Sequence, residues 1–534
     1  MKARGSAWFW VLAGAAAMGR ADWPQAGGPE RNCVLPGAPV AVPEAGVPPV
    51  LWQANVGYGW GPVVVRAGRV YAYGVYRPGT DVAAVADVGS APTFAEAEQA
   101  ARDADTAQYH SRDLPGTPTW ADDSHGVYRG DGYALCLAAD TGTLLWATKL
   151  TDWGVILWGN SLVGERSSPA VAEDRVFIHS MTGQLHALST ASGEPLWSVN
   201  LFDHGMLRWE EKNGNACSPL VVGATVIVGF HARPDDDYTQ PRYNEDGMAV
   251  AGFDAATGER RWLTKPRLPG FRTMSSDLGF AVVGGAPTVL VPQGSGTMGL
   301  DPATGAVRWT YAARFEDGKD VRFAYPFRMP VAWGDCIVDG VTVAHDDTPS
   351  QTWGLRIADG TVEEMWSTHD FVPVAAEFDK ANLLAVDGRL YGFDAHGVWD
   401  DPMYDGKIDR RAMRRDGRFQ CRDIATGRLL WSSDAFNTRK PGEDEYYNPQ
   451  HLLLAGETLV VTDETGLWLA RLTATGVQVL SRVEQVKWRR LQLSPPVLVE
   501  GRLFIRQSDA SPADGLAPAL GAGGNLTCLS LASR

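Results

Sequence analysis

Apolar and polar positions alternate along short stretches of this chain, and the stretches come in pairs. Residues 134–138 (ALCLA) alternate, a polar turn Asp140-Thr141-Gly142 follows, and a second stretch closes on Trp146. An alternation with period two is the mark of a strand with one covered face, and a polar turn ending in Gly joins two of them as a hairpin. The unit returns at 185–197 (LHALSTASGEPLW), 250–262 (VAGFDAATGERRW), 298–309 (MGLDPATGAVRW) and 419–431 (FQCRDIATGRLLW). A looser copy lies at 353–366 (WGLRIADGTVEEMW), and 467–480 (LWLARLTATGVQVL) lacks the Trp.

The repeat fixes three positions. The turn glycine is Gly142, Gly193, Gly258, Gly305, Gly360, Gly427 or Gly476. A tryptophan follows four residues on at Trp146, Trp197, Trp262, Trp309 and Trp431. Six residues before each glycine stands a small residue: Cys136, Ala187, Gly252, Gly299, Gly354, Cys421 or Ala470. Small residues at one register position predict a tightly packed neighbour that a larger side chain would strike. The Asp or Thr of the turn binds its own backbone, and Gly takes a positive φ without strain. Upstream of each unit lies a further pair of short strands, such as Pro169-Ala170-Val171 with Arg175-Val176-Phe177-Ile178. Four strands per unit predict propeller blades. An eighth unit is split: 526–531 (LTCLSL) ends the chain, and its missing strand is 48–53 (PPVLWQ). The predicted fold is therefore all-β, an eight-bladed β-propeller of four-stranded antiparallel blades. The ring closes by pairing N- and C-terminal strands, which removes the open edges.

The Gly-x-x-x-Trp unit resembles the tryptophan-docking motif of PQQ-like (pyrroloquinoline-quinone-type) propellers, and the segment 22–29 (DWPQAGGP) resembles the opening of exported bacterial members. The resemblance spans roughly residues 22–534. It implies that each Trp packs between neighbouring blades. It also implies one of two functions, because the family includes quinoprotein dehydrogenases as well as non-catalytic propellers such as an outer-membrane assembly-factor lipoprotein. The dehydrogenases carry adjacent cysteines over the cofactor. Here Cys33, Cys136, Cys217, Cys336, Cys421 and Cys528 are all separated, and no Cys-x-x-Cys-His haem motif occurs.

Charge and the N-terminus narrow the setting. Lys2 and Arg4 precede an apolar run from Ala7 to Met18, and Gly19-Arg20-Ala21 supplies small residues for cleavage. Residues 1–21 thus read as a signal peptide cleaved near Ala21, with a periplasmic or secreted product of residues 22–534. No other run predicts a transmembrane segment. The net charge of −15 argues against nucleic acid as a partner. A monomer is expected. Insertions at about 76–131, 231–249 and 399–418 decorate the ring. Within the first, residues 92–110 predict a helix with a Thr93/Glu96 capping pattern. The Asp-rich second and third do not fit EF-hand spacing and read as solvated loops.

A propeller binds ligands at the funnel formed by the loops that lead into each innermost strand. Those loops hold Trp60, Arg166, Glu211, Asn213, Arg272, Arg322, Glu377, Asn448 and Arg490, with Ser168 and Asp277 beside them. Arginines converging from several blades would suit an anionic ligand. No catalytic residue and no metal site is expected: His-x-x-x-His, His-Glu-x-x-His and Gly-x-Ser-x-Gly are all missing from the sequence. The leading expectation is a non-catalytic binding or assembly scaffold for a protein or cell-envelope ligand, without cofactor. The alternative is a PQQ- and calcium-dependent dehydrogenase oxidising an alcohol or sugar.

Overall fold

The structure is a computed structural model. It describes most of residues 22–531, leaving out chiefly 43–47, 86–107, 111–125, 207–216, 234–246, 269–275, 316–323, 344–350, 372–381, 395–417, 437–448, 485–493 and 507–525. The signal-peptide reading of residues 1–21 lies outside the described residues.

Eight antiparallel sheets follow one another along the chain. Blade 2 shows the plan: Ala170–Ala172, Arg175–His179, Gln184–Ser189 and Pro195–Asn200 pair in sequence order. Blade 1 starts at Val64–Arg66, blade 3 at Leu220–Val222, blade 4 at Gly279–Val283 and blade 5 at Val331–Trp333. Blades 6, 7 and 8 start at Leu384–Val386, Pro449–Ala455 and Val497–Val499. These first strands contact one another around the ring, which makes them the innermost. Blade 8 takes its fourth strand from the other end of the chain. Val50–Ala54 pairs antiparallel with Leu526–Ser530, Trp52 opposite Cys528.

The small position of the repeat now has a cause. In every complete unit it lies directly across from that blade's own tryptophan: Cys136 from Trp146, Ala187 from Trp197, Gly252 from Trp262, Gly299 from Trp309, Gly354 from Trp366 and Cys421 from Trp431. A register shift follows at each of these pairs, as a β-bulge would give. The indole folds down over its small partner and then reaches the next blade. Trp52 Nε1 donates to Ala139 O (3.1 Å), Trp146 to Thr190 O (3.1 Å), Trp197 to Ala255 O (3.2 Å), Trp366 to Ile424 O (2.9 Å) and Trp431 to Ala474 O (3.1 Å). The accepting carbonyl lies in the turn of the following blade. Trp262 and Trp309 pack without this bond.

Two turns depart from the common form. Asp359 and Gly360 both have positive φ (50° and 75°), the signature of a two-residue type I′ hairpin. That turn is shorter than the others, so Trp366 stands six residues beyond Gly360 rather than four and still pairs with Gly354. Gly476 is not among the positive-φ glycines, and Val479 takes the tryptophan position opposite Ala470.

The core lies between blades, not at one centre. Phe177, Leu185, Val228, Phe230 and Phe253 form one apolar cluster from blades 2 and 3, and Leu290, Trp309, Ile337 and Trp353 form another from blades 4 and 5. Each sheet therefore buries both faces against neighbours, which a ring allows and an open stack does not.

The insertion in blade 1 differs from expectation at its end. Gln108–His110, predicted as the last turn of a helix, is a strand paired with Gly126–Tyr128. Local helical periodicity there loses to an open edge that a strand can complete. The rest of that helix, and residues 399–417 of the third insertion, lie outside the described residues. The second insertion is narrower than expected, since strands run through Ala232 and from Gly247.

Candidate functional site

The channel at the ring's centre is the natural place for a site, and the chain's own beginning lies in it. Trp23, 2% exposed, exchanges two backbone hydrogen bonds with Val65 on the innermost strand of blade 1 (2.7 and 2.9 Å). Pro24 O accepts from Val171 N of blade 2 (2.7 Å). Arg31, also 2% exposed, donates from Nε to Leu278 O of blade 4 (2.8 Å) and from Nη1 to Pro219 O of blade 3 (3.2 Å). Val34–Leu35 then pairs parallel with Leu454–Ala455 on the innermost strand of blade 7. Residues 22–35 thus cross the channel and touch five blades. Asp22 and Leu35 reach the turns that leave the innermost strands, at Ala67 and Gly456, while Arg31 reaches the residues that lead into them, Leu278 and Pro219.

At the end where the lead-in loops arrive, a belt of polar contacts joins the blades. Ser168 Oγ donates to Pro62 O (3.0 Å) and Ser168 N to Ser218 Oγ (2.9 Å). Ser218 N donates to Asp277 Oδ1 (2.6 Å). Thr297 Oγ1 donates to Asp339 Oδ2 (2.7 Å) and accepts from Trp353 Nε1 (2.9 Å), linking blades 4 and 5. Thr352 Oγ1 donates to Phe371 O, and Asn382 exchanges two bonds with the backbone of Leu452 (2.9 and 2.7 Å). Thr462 Oγ1 donates to Ser494 O (3.3 Å). The last junction belongs to Arg506, 1% exposed, whose guanidinium reaches Gly61 O and Tyr73 O (both 2.9 Å), Gly57 O (3.1 Å) and Val56 O (3.3 Å). All eight junctions carry such a tie. A buried cation is tolerable there because several carbonyl dipoles replace its water.

Burial sets the protonation of the channel wall. His179 is fully buried, and desolvation pushes it down to about 4, so the ring is neutral. Its Nδ1 lies 2.8 Å from Cys217 O, and its own carbonyl accepts from Ser167 Oγ. The Cys217 thiol is pushed up to about 12 by burial and the charge of Asp277, which leaves it a poor nucleophile.

Of the nine funnel candidates, Arg166 is described: it is buried, and its backbone and that of Ser167 press on Gly61 of blade 1. Trp60, Glu211, Asn213, Arg272, Arg322, Glu377, Asn448 and Arg490 lie outside the described residues. Ser168 and Asp277 belong to the belt. Sequence reasoning missed Arg31 and Arg506 as channel and closure residues. Arg31 sits outside the repeat, and Arg506 looks like any strand-end arginine. Among the described residues, no three His, Cys, Asp or Glu gather closely enough to hold a metal ion.

The ring of tryptophan-docked blades defines the class: an eight-bladed PQQ-like propeller. The family model described as outer membrane protein assembly factor BamB matches residues 130–396, half of the chain, and the chain belongs to that family. No curated protein matches it. Among solved structures, BamB from Moraxella catarrhalis is 15% identical, with 76% of this chain and 94% of that one covered, at a TM-score of 0.45. A quinohemoprotein alcohol dehydrogenase from Comamonas testosteroni is 13% identical, covering 98% of this chain and 83% of that one, at a TM-score of 0.54. A second quinohemoprotein alcohol dehydrogenase, from Pseudomonas putida HK5, is 11% identical over 98% and 82%, at 0.46. At such identities the likeness speaks for the fold.

Proposed function

We propose that the protein is an exported, non-catalytic scaffold that binds or helps assemble a protein or envelope ligand, as the name of its family suggests. The observation that carries this reading is the crossing of residues 22–35. The chain spends its own residues on crossing the channel and tying five blades together. A ring braced in this way is a rigid platform whose lead-in loops can present a surface. The funnel loops, with Arg272, Arg322 and Arg490 on the lead-ins to blades 4, 5 and 8, are the surface we assign to the ligand, and their charge favours an anionic group on it.

The alternative, a quinoprotein dehydrogenase, shares the fold. Its cofactor fits this chain poorly. The six cysteines stand apart, so the vicinal pair over the quinone has no counterpart. Among the described channel residues, the polar groups of the belt are spent on one another.

Two measurements test the proposal. Photo-crosslinkers placed at positions 213, 322 and 490 in cells should give a discrete adduct with one envelope component, and crosslinkers at exposed Glu194 and Glu259 on the blade turns should not. Mixing the purified chain with PQQ and calcium should give neither stoichiometric cofactor absorbance nor alcohol-dependent dye reduction. Turnover in the second assay would overturn the scaffold reading in favour of the enzyme.

A further inference from the structure

Seven of the eight blade junctions are closed by an indole. Five tryptophans donate to a backbone carbonyl of the next blade, Trp262 lies against Gly305 of blade 4, and Trp309 joins an apolar cluster with Ile337 and Trp353 of blade 5. The junction from blade 7 to blade 8 has none. The outermost strand of blade 7, Gly476–Glu484 (GVQVLSRVE), carries no tryptophan. Blade 8 also lacks the turn that would receive one. Its two outer strands, Leu526–Ser530 and Val50–Ala54, come from opposite ends of the chain, so no turn joins them. The split that closes the ring thus removes the docking device from the junction beside it.

Apolar packing and a strap take its place. Leu467, Leu469 and Val483 of blade 7 share a cluster with Leu503 and Ile505 of blade 8. The belt tie between the two blades is the bond from Thr462 Oγ1 to Ser494 O, at 3.3 Å. The strap is the N-terminal segment that follows the channel crossing. Leu454 N donates to Cys33 O (2.9 Å) and Gly456 N to Leu35 O (3.0 Å), which fixes the segment to blade 7. Val40 and Val42 then pack on the shared cluster, and the chain enters blade 8 at Val50. One stretch of chain therefore holds both blades. It begins under strain, because Arg31 (φ 52°) and Cys33 (φ 57°) are left-handed without being glycine. Residues in that region keep their conformation only while the contacts around them enforce it.

We propose that the ring opens at the junction of blades 7 and 8 while the other seven junctions stay closed, and that the strap contacts of Cys33, Leu35, Val40 and Val42 are the latch. Local opening follows the least-tied boundary of a structure. At seven boundaries it must withdraw an indole from a neighbouring blade, and at the eighth it must release a strap that is already strained. The opening is a minor excursion of the folded ring. It leaves the docked blades as they are, so it stands apart from the scaffold reading.

Labelling of the folded chain with iodoacetamide, read site by site by mass spectrometry, tests the latch. No two of the six cysteines are joined in a disulfide. Cys33 is 7% exposed and lies on the strap, whereas Cys136, Cys217, Cys421 and Cys528 are fully buried within the blades. In the unaltered chain Cys33 should label ten-fold or more faster than these four. Val40→Ser with Val42→Ser should raise the Cys33 rate a further ten-fold and leave the four unchanged. A second pair of variants reads the junction itself. Leu503 and Leu390 hold the same place in blades 8 and 6, both fully buried, and each faces the preceding blade. Leu503→Cys should label ten-fold or more faster than Leu390→Cys. Equal rates at positions 503 and 390, fast labelling of Cys33 with slow labelling at 503, or a common rise of all the thiols in the Val40 and Val42 variant would each overturn the proposal.

Discussion

The turn glycines show how much one residue's surroundings decide. Gly427 has φ +68° and a Cβ there would lie 2.6 Å from Trp366 Cδ2, while Gly360 has φ +75° with open space around it. Both pay backbone strain on becoming alanine, about 1 kcal/mol. Only Gly427→Ala also displaces an indole. We expect it to cost roughly 2 kcal/mol more than Gly360→Ala in urea unfolding, by the usual scale of overpacking. Arg506→Met should cost about 3 kcal/mol or more, since buried carbonyls from blade 1 lose a charged donor together. His179 gives a pH signature. Folded, it titrates near 4, and unfolded near 6.5. Between those values the unfolded chain binds the proton and the folded one does not, so stability is complete above about 6.5 and is lost as pH falls toward 4. This residue's share between pH 7 and pH 5 is about 2 kcal/mol. His179→Gln should flatten the fall in melting temperature over that interval, and an unchanged slope would refute the assignment.

At the scale of the element, the repeat was legible because one device recurs: a small residue across from a Trp, a bulge, and a turn that receives the neighbour's indole. Composition-independent spacing exposed it, including the split copy in which Trp52 faces Cys528. The departures were less visible. Spacing alone put Gly360 with the other turns, yet Asp359-Gly360 forms a tighter hairpin and Trp366 keeps its place by standing later in the strand. The helix expected through His110 rested on local periodicity, which carries no knowledge of the open edge beside Gly126–Tyr128. Of the candidate site, sequence could name the lead-in loops but not what they touch. Ser168 and Asp277 read as ligand-facing polar residues and instead tie blades, because a hydrogen-bond partner on another blade has no sequence signal. A test at this scale is Trp366→Phe against Trp366→Ala. The first keeps the ring and loses the bond to Ile424 O, about 1 kcal/mol, while the second empties the wedge between blades 5 and 6 and should cost about 3 to 5 kcal/mol.

For the whole molecule, closure matters more than any single blade. Deleting residues 22–54 removes the channel crossing and the outermost strand of blade 8 together, leaving Leu526–Ser530 as a bare edge. Such a chain should associate through that edge, read by light scattering as species larger than those the intact chain gives.

The same closure sets an order of events. Gln53 and Thr527 are hydrogen-bonded partners 474 residues apart. A polypeptide emerges with its first residues leading, so Trp52 must wait, solvent-exposed and without its sheet, until the final strand has been delivered. Intermediate blades can stack meanwhile, but the last seam forms late and against a large loop entropy. A nascent chain of this kind is vulnerable for nearly its whole period of synthesis, and one released even ten residues short would be left permanently ajar.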